Sequence, residues 1–460
     1  MYRVALIGAG SVTFAQRIVN DLLFRPAFED AEFRLMDIDE SRLQFSGMTM
    51  NEVNRARGTR ASFVATTDRA RALDGADFVV TMIQVGGDAA TRVDFDVCKR
   101  HGLKLVIGDS MGIPAVSRAL RTIPAMLEIV RDMERLCPDA VLLNYTNPMG
   151  MIMAAVLRGS RVRGVGLCHG VVGTARKLAG FIGVDFDRVN YLCAGINHMA
   201  WFLRYEVDGV DAYPRIREAF DTQHKNDELV RQELFHQFGY FMTESSYHIA
   251  EYIPYFLKRD DLIAEYDIAI DEYLARSAEN LEIFTRVEEA FRAGKNVFAE
   301  GAAVRFEPKS RMRRGRAEPG ELVEAFRIES APSSEYAAGI CNAIATGERF
   351  LFNGNVLNTG LITNLPDRSC VEVPCVVDRN GIQPTHVGEL PPQCAALTQT
   401  NVNVQELTVR ALLEESREHL MHAALMCPHG SSVLSTREIR ALMTDLIAAH
   451  GDSVPAWSRG

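Results

Sequence analysis

Apolar and polar positions along the first part of the chain alternate between short runs and helical spacings. Residues 2–7 (YRVALI) are an apolar run that stops at Gly8, and a helical pattern follows Gly10 through about Phe24. Phe33–Met36 is a second run closing on Asp37, and Phe63–Ala65 is a third. Asp77–Ile83 (DFVVTMI) is nearly continuous, as in a strand buried on both faces. Leu103–Ile107, Ala140–Leu143 and Val162–Leu167 read the same way, with helical patterns between the runs, notably over 117–136. Strands alternating with helices predict a parallel, doubly wound sheet over residues 1–195. Beyond it, helical stretches run near 226–238, 268–293, 334–347 and 404–425, and a Gly/Pro/Asn-rich segment at 353–394 holds strands, including Val371–Val377. The second half is expected to be mixed α+β.

Composition narrows this little. The 460 residues, 47% hydrophobic and 24% charged, suit a globular chain of two domains. A net charge of −10 disfavours nucleic acid or an anionic membrane as the main partner. The basic run Lys309–Arg316 reads as a solvated loop. No apolar stretch reaches the ~18–20 residues of a membrane span. The start lacks a basic leader region and a cleavage site, so a cytoplasmic location is expected. Nine cysteines without a CxxC pair suggest reduced thiols.

Chemistry enters at Gly8-Ala9-Gly10-Ser11, between the first strand and the first helix. Glycines there let the backbone approach a pyrophosphate, and the helix N-terminus supplies amide donors. Thr13 stands where the full dinucleotide fingerprint has its third glycine. Asp37, closing the second strand, is placed to accept both ribose hydroxyls of an adenosine, which favours NAD over NADP. The resulting expectation is an NAD-binding, Rossmann-like domain at 1–195 and a substrate-binding and oligomerisation domain at 196–460.

Three further segments fall at predicted strand ends, where open parallel sheets bind ligands: Gln84–Gly87 (with Gly86 as a cofactor contact), Gly108-Asp109-Ser110 and Asn144–Pro148. The sharpest local feature is Gly166-Leu167-Cys168-His169-Gly170, followed downstream by Gly195-Ile196-Asn197-His198. A buried cysteine and a structural histidine are the plainer readings of Cys168 and His198 taken singly. Together they can share a catalytic divalent metal, or Cys168 can serve as a thiol nucleophile.

At these residues the sequence resembles glycoside hydrolase family 4, the melibiase-type bacterial α-galactosidases above all. The matching stretches include IGAGS at 7–11, LMDID at 35–39, DFDVCKRHG at 94–102, RALRTIP at 118–124 and LNYTNPM at 143–149. GLCH at 166–169, AGINHMA at 194–200, FNGNVLNTGLITNLP at 352–366, CVEVPCVVDRNGIQPT at 370–385 and TNVNVQ at 400–405 extend the likeness over nearly the whole chain.

The resemblance implies a hydrolase that uses NAD and a divalent metal, commonly Mn2+, and not a carboxylate pair. Hydride leaves C3 of the sugar, the C2 proton becomes acidic and is removed, and the glycosidic oxygen is eliminated. Water then adds and the hydride returns. The resemblance assigns the metal to Cys168 and His198, a leaving-group acid or substrate contact to His169, and sugar contacts to Asp109 and Asn147. The C2 base falls in Met242–Glu251, with Glu244 and Tyr247 as candidates. It implies a small α-glycoside as substrate and a homodimer or homotetramer.

Gly170 replaces a serine of the melibiase type, and Gly112-Ile113-Pro114-Ala115 replaces a Gly-Pro-Gly-Gly run, so α-glucosidase and α-glucuronidase stay open beside α-galactosidase. His169, where phospho-sugar members carry Asp or Asn, argues against a 6-phosphate. A malate- or lactate-type NAD-dependent dehydrogenase is the alternative of another class.

Overall fold

The computed structural model describes residues 1–295, 297, 304–314, 321–324 and 327–459. Gly315 and Arg316, which end the basic run, lie outside them. Nine strands come first: β1 (Arg3–Ile7), β2 (Glu32–Met36), β3 (Ser62–Thr66), β4 (Phe78–Thr81), β5 (Val141–Asn144), β6 (Arg163–Leu167), β7 (Val189–Ile196), β8 (Met199–Val207) and β9 (Val210–Asp211). Then come the small pair β10 (Arg305–Phe306) and β11 (Val323–Glu324), followed by β12 (Phe350–Leu357), β13 (Cys370–Asp378) and β14 (Gly381–Pro384).

One sheet carries all of these except β10 and β11, in the order β3-β2-β1-β4-β5-β6-β12-β13-β7-β8-β9, with β14 on β13. From β3 to β6 every pairing is parallel, in the order of a doubly wound dinucleotide fold. Past β6 every pairing is antiparallel.

Side chains alternate between the faces of this sheet and build two cores. Val4, Leu6, Leu35, Val80 and Leu143 enter one, which continues through Ile196, Trp201 and Val373 of the second half. Ala5, Ile7, Val79 and Leu142 enter the other, together with Val404, Leu420 and Leu446 from the C-terminal helices. Both cores therefore draw on both halves of the chain.

Two sequence expectations are corrected. Leu103–Ile107 is buried apart from Lys104 but forms no strand, because β4 pairs directly with β5. Its amides at Val106 and Ile107 are instead taken by the Glu251 carboxylate, and its carbonyls at Leu105 and Val106 by Asp271 N and Tyr273 N, each at 2.9 Å. The stretch 404–425 is two helices, the end of Pro392–Leu413 and Arg417–Leu425. Glu415 breaks the path with φ +54°, and the Ser416 side chain caps the second helix. Of the basic run, Lys309, Arg311 and Arg313 pair with Glu282, Asp267 and Glu279.

Candidate active site

The C-terminal ends of β1, β2, β4, β5 and β6 carry the segments singled out above, except Gly108-Asp109-Ser110, which follows the non-strand run Leu103–Ile107. Gly8 has φ +92°, and a Cβ there would stand 2.7 Å from Met82 O, so the turn from β1 admits only glycine. A Cβ on Gly10 would stand 2.6 Å from Asp37 Oδ2, and Gly10 N donates to that oxygen at 2.7 Å. Asp37 also accepts from Asp39 N at 3.0 Å. Its carboxylate thus braces the glycine turn from the end of β2. Ser11 is exposed, and its side chain makes no cap to the helix Val12–Leu23 that it precedes. Gly86, with φ +79°, opens the helix Gly87–Arg100 at the end of β4.

β6 ends on Leu167, which places Cys168 and His169 just beyond the sheet edge, and His198 sits in the two-residue turn between β7 and β8. The fold brings these together with Glu244. Cys168 Sγ lies 3.4 Å from His198 Nδ1 and 3.3 Å from Glu244 Oε1, and His198 Nδ1 lies 3.1 Å from Glu244 Oε1. A thiol, an imidazole and a carboxylate, all donor atoms within 4.8 Å, form a set that suits a borderline divalent cation.

Burial and the neighbouring charges shift all three groups. Burial pushes the Cys168 thiol up to about 12 against the pull of His198. Burial also opposes charge on His198, but Glu244 and Cys168 outweigh it and hold the imidazole well above its usual range. Glu244 is correspondingly held well below its own, burial notwithstanding, by His198 and then His248.

Around this trio, His169 Nδ1 meets Glu335 Oε1 at 3.0 Å, and this hydrogen bond, against the effect of burial, raises the imidazole's pKa. Asp109 is nearly buried and accepts from Ser110 Oγ at 2.7 Å and from Asn147 Nδ2 at 3.4 Å. Arg118 donates to Asn147 O at 3.2 Å. Burial raises Asp109's pKa, but Arg118, His248 and His198 outweigh it and hold the carboxyl below its usual range. His248 stacks edge-on to His198 with ring centroids 5.5 Å apart.

Tyr247 is not brought to the trio. It is half-buried, and its charged neighbours are Asp267, Arg311, Glu272 and Glu228. Sequence reasoning missed Glu335, His248 and the ligand-like position of Glu244. The HIAE stretch signalled the second, but nothing local marks Glu335, which lies 166 residues beyond its partner.

A family model described as "Family 4 glycosyl hydrolase" matches residues 3–184, and its companion "Family 4 glycosyl hydrolase C-terminal domain" matches 193–430. The chain is 41% identical to an alpha-galactosidase of Bacillus subtilis, over 99% of this chain and 100% of that one. It is 30% identical to an alpha-galactosidase of Rhizobium meliloti, over 99% and 90%. The fold matches a crystal structure of a 6-phospho-alpha-glucosidase from gut microorganisms in complex with NAD and Mn2+, with TM-score 0.77 and 20% identity, covering 99% of both chains. The chain belongs to the family 4 glycosyl hydrolases.

Proposed function

We propose that this chain is an NAD- and divalent-metal-dependent glycosidase that cleaves unphosphorylated α-galactosides by oxidation at C3 and elimination across C1–C2. The observation that carries the reading is the Cys168–His198–Glu244 trio at the ligand-binding end of a dinucleotide-type sheet. NAD supplies a hydride acceptor when bound, and a divalent metal such as Mn2+ supplies a Lewis acid.

Gly8, Gly10, Ser11 and Gly86 would receive the dinucleotide backbone, and Asp37 its adenosine ribose. Cys168, His198 and Glu244 would hold the metal. Asp109 and Asn147 would position sugar hydroxyls beside it. His169, oriented through Nδ1 by Glu335, would present Nε2 to the leaving oxygen as a proton donor. Glu244 is thereby assigned to the metal and not to the C2 proton. In the same segment His248, beside His198, is better placed to receive that proton than Tyr247.

The galactoside preference is supported by the two alpha-galactosidases to which the chain is similar along its whole length. Turnover of p-nitrophenyl α- and β-galactosides, glucosides, glucuronides and 6-phospho-glycosides with NAD, Mn2+ and dithiothreitol tests it. Fastest release from the α-galactoside supports the reading, and fastest release from a 6-phospho-glycoside or an α-glucoside overturns the specificity. Net accumulation of NADH would favour a dehydrogenase. Assembly as a homodimer or homotetramer is part of the same proposal. Among the described residues no helix is long and apolar enough to cross a membrane.

A further inference from the structure

Glu251 is a fully enclosed carboxylate that stands apart from the residues assigned to cofactor, metal and sugar. It lies near the end of the same short helix, Ser246–Tyr252, that carries His248, and it is 3% exposed. It accepts three consecutive backbone N–H groups: Val106, Ile107 at 3.0 Å and Gly108 at 2.9 Å. In a strand, successive N–H groups point to opposite sides. Three in a row aimed at one side chain mean that the backbone curls around that carboxylate. Burial raises the pKa of this carboxyl to about 7 and the three loop amides only partly offset it, so its oxygens depend on those donors.

The segment it holds leads directly into Gly108-Asp109-Ser110. Gly108 has φ +64°, and a Cβ there would come 3.2 Å from Phe95 and 3.3 Å from Pro114, so the bend at 108 has little room to relax. On the other side, Asp271 N and Tyr273 N hold the carbonyls of Leu105 and Val106. The loop therefore lies between two elements of the second half of the chain. Its product is the position of Asp109, whose charged neighbours are Arg118, His248 and His198.

We infer that Glu251 is a positioning residue that fixes the Asp109 carboxylate relative to the Cys168–His198–Glu244 trio by gathering the amides of residues 106–108. Because the clamp and His248 share one helix, a shift of Glu251 moves Asp109 relative to the trio and leaves the glycine turn of β1 in place. The inference rests on the proposed glycosidase reading for its kinetic consequence, but not for its structural one.

The experiment is a double-mutant cycle on the full chain with NAD and Mn2+, using E251Q and D109N. A glutamine offers one acceptor oxygen where the loop presents three donors. Loss in kcat/KM on the order of a hundredfold is expected for E251Q, the scale of a misplacement of about 1 Å, with most of it in KM. In the D109N background the same substitution should cost less than about twofold, because its route to the sugar is already lost. Affinities for NAD and Mn2+ should stay within about twofold of wild type, an outcome that general unfolding would not give.

Equal losses in both backgrounds overturn the inference, as does unchanged kcat/KM in E251Q or in D109N. If E251Q does not fold, E251D enters the same cycle. Hydrogen exchange separates this inference from the hydrolysis reading. The amides of 106–108 should exchange at least about tenfold faster in E251Q, with those of β1 unchanged. That result stands even if no glycoside is cleaved, and unaltered protection at 106–108 overturns the clamp.

Discussion

Gly170 and Glu244 fit together because position 170 carries no side chain: a Cβ built there would overlap Glu244 Oε1 and stand 3.3 Å from Cys168 Sγ. Gly170 N also donates to Cys168 Sγ at 3.3 Å. The residue that departs from the serine of the melibiase type is thus the one that admits a third donor to the trio. G170A and G170S should displace Glu244 and weaken Mn2+ binding on the order of 10- to 100-fold, with NAD affinity unchanged. Isothermal titration with each ligand checks this, and wild-type Mn2+ affinity in both variants would remove Glu244 from the ligand set.

Metal binding should tighten as pH rises. Burial holds the Cys168 thiol up at about 12, so it is protonated at neutral pH and must lose its proton to coordinate. Each proton released contributes up to about tenfold in affinity per pH unit. Competition titrations at pH 6, 7 and 8 should show affinity rising through the series, and a flat profile would exclude thiolate ligation.

Asp37 braces Gly10 and, in the proposed reading, meets the ribose. D37A should weaken NAD binding by about 1–3 kcal/mol, the scale of a lost charge-assisted hydrogen bond. Wild-type enzyme should prefer NAD to NADP, since a 2′-phosphate would face a carboxylate. Equal or better activity with NADP would contradict that placement.

Away from the site, Asp94 lies 2.7 Å from Arg121 Nη2 and 2.7 Å from His450 Nε2, all three buried. This cluster ties the C-terminal helix Thr436–His450 to the helices Gly87–Arg100 and Gly112–Leu136. D94N leaves the Arg121 guanidinium uncompensated and should cost about 3–5 kcal/mol in urea melts. Burial raises the pKa of Asp94, but His450 and Arg121 more than offset it and leave the carboxyl below its usual range. The stabilisation is therefore full above the unfolded value of about 3.9 and lost as pH falls through the lower folded value. Wild type should lose stability below pH ~4 more steeply than D94N, and parallel profiles would contradict the coupling.

The parallel half of the fold was legible because strands buried on both faces, such as Phe78–Thr81 and Val141–Asn144, are written as unbroken apolar runs. The same rule misled at Leu103–Ile107. A buried apolar run fits any backbone whose polar groups find partners, and here the partner is Glu251, 145 residues from Val106. Gly8, Gly10 and Asp37 stood out because their places at the ends of the first two strands carry their chemistry, whereas the metal role of Cys168 and His198 came from the family resemblance and not from their spacing. Glu244 and Glu335 did not reveal their places, because a carboxylate acquires its role from the groups that long-range folding sets beside it. For Glu244 those are Cys168, 76 residues away, and His198.

Oxidation at C3 followed by elimination breaks the C2–H bond, and direct displacement never does. Hydrolysis of the α-galactoside in D2O, with NAD and Mn2+ present and the released sugar read by proton NMR and mass spectrometry, is the most direct test. Deuterium at C2 of the released galactose, formed without net NADH, is the expected result. Galactose released with hydrogen fully retained at C2 would contradict it.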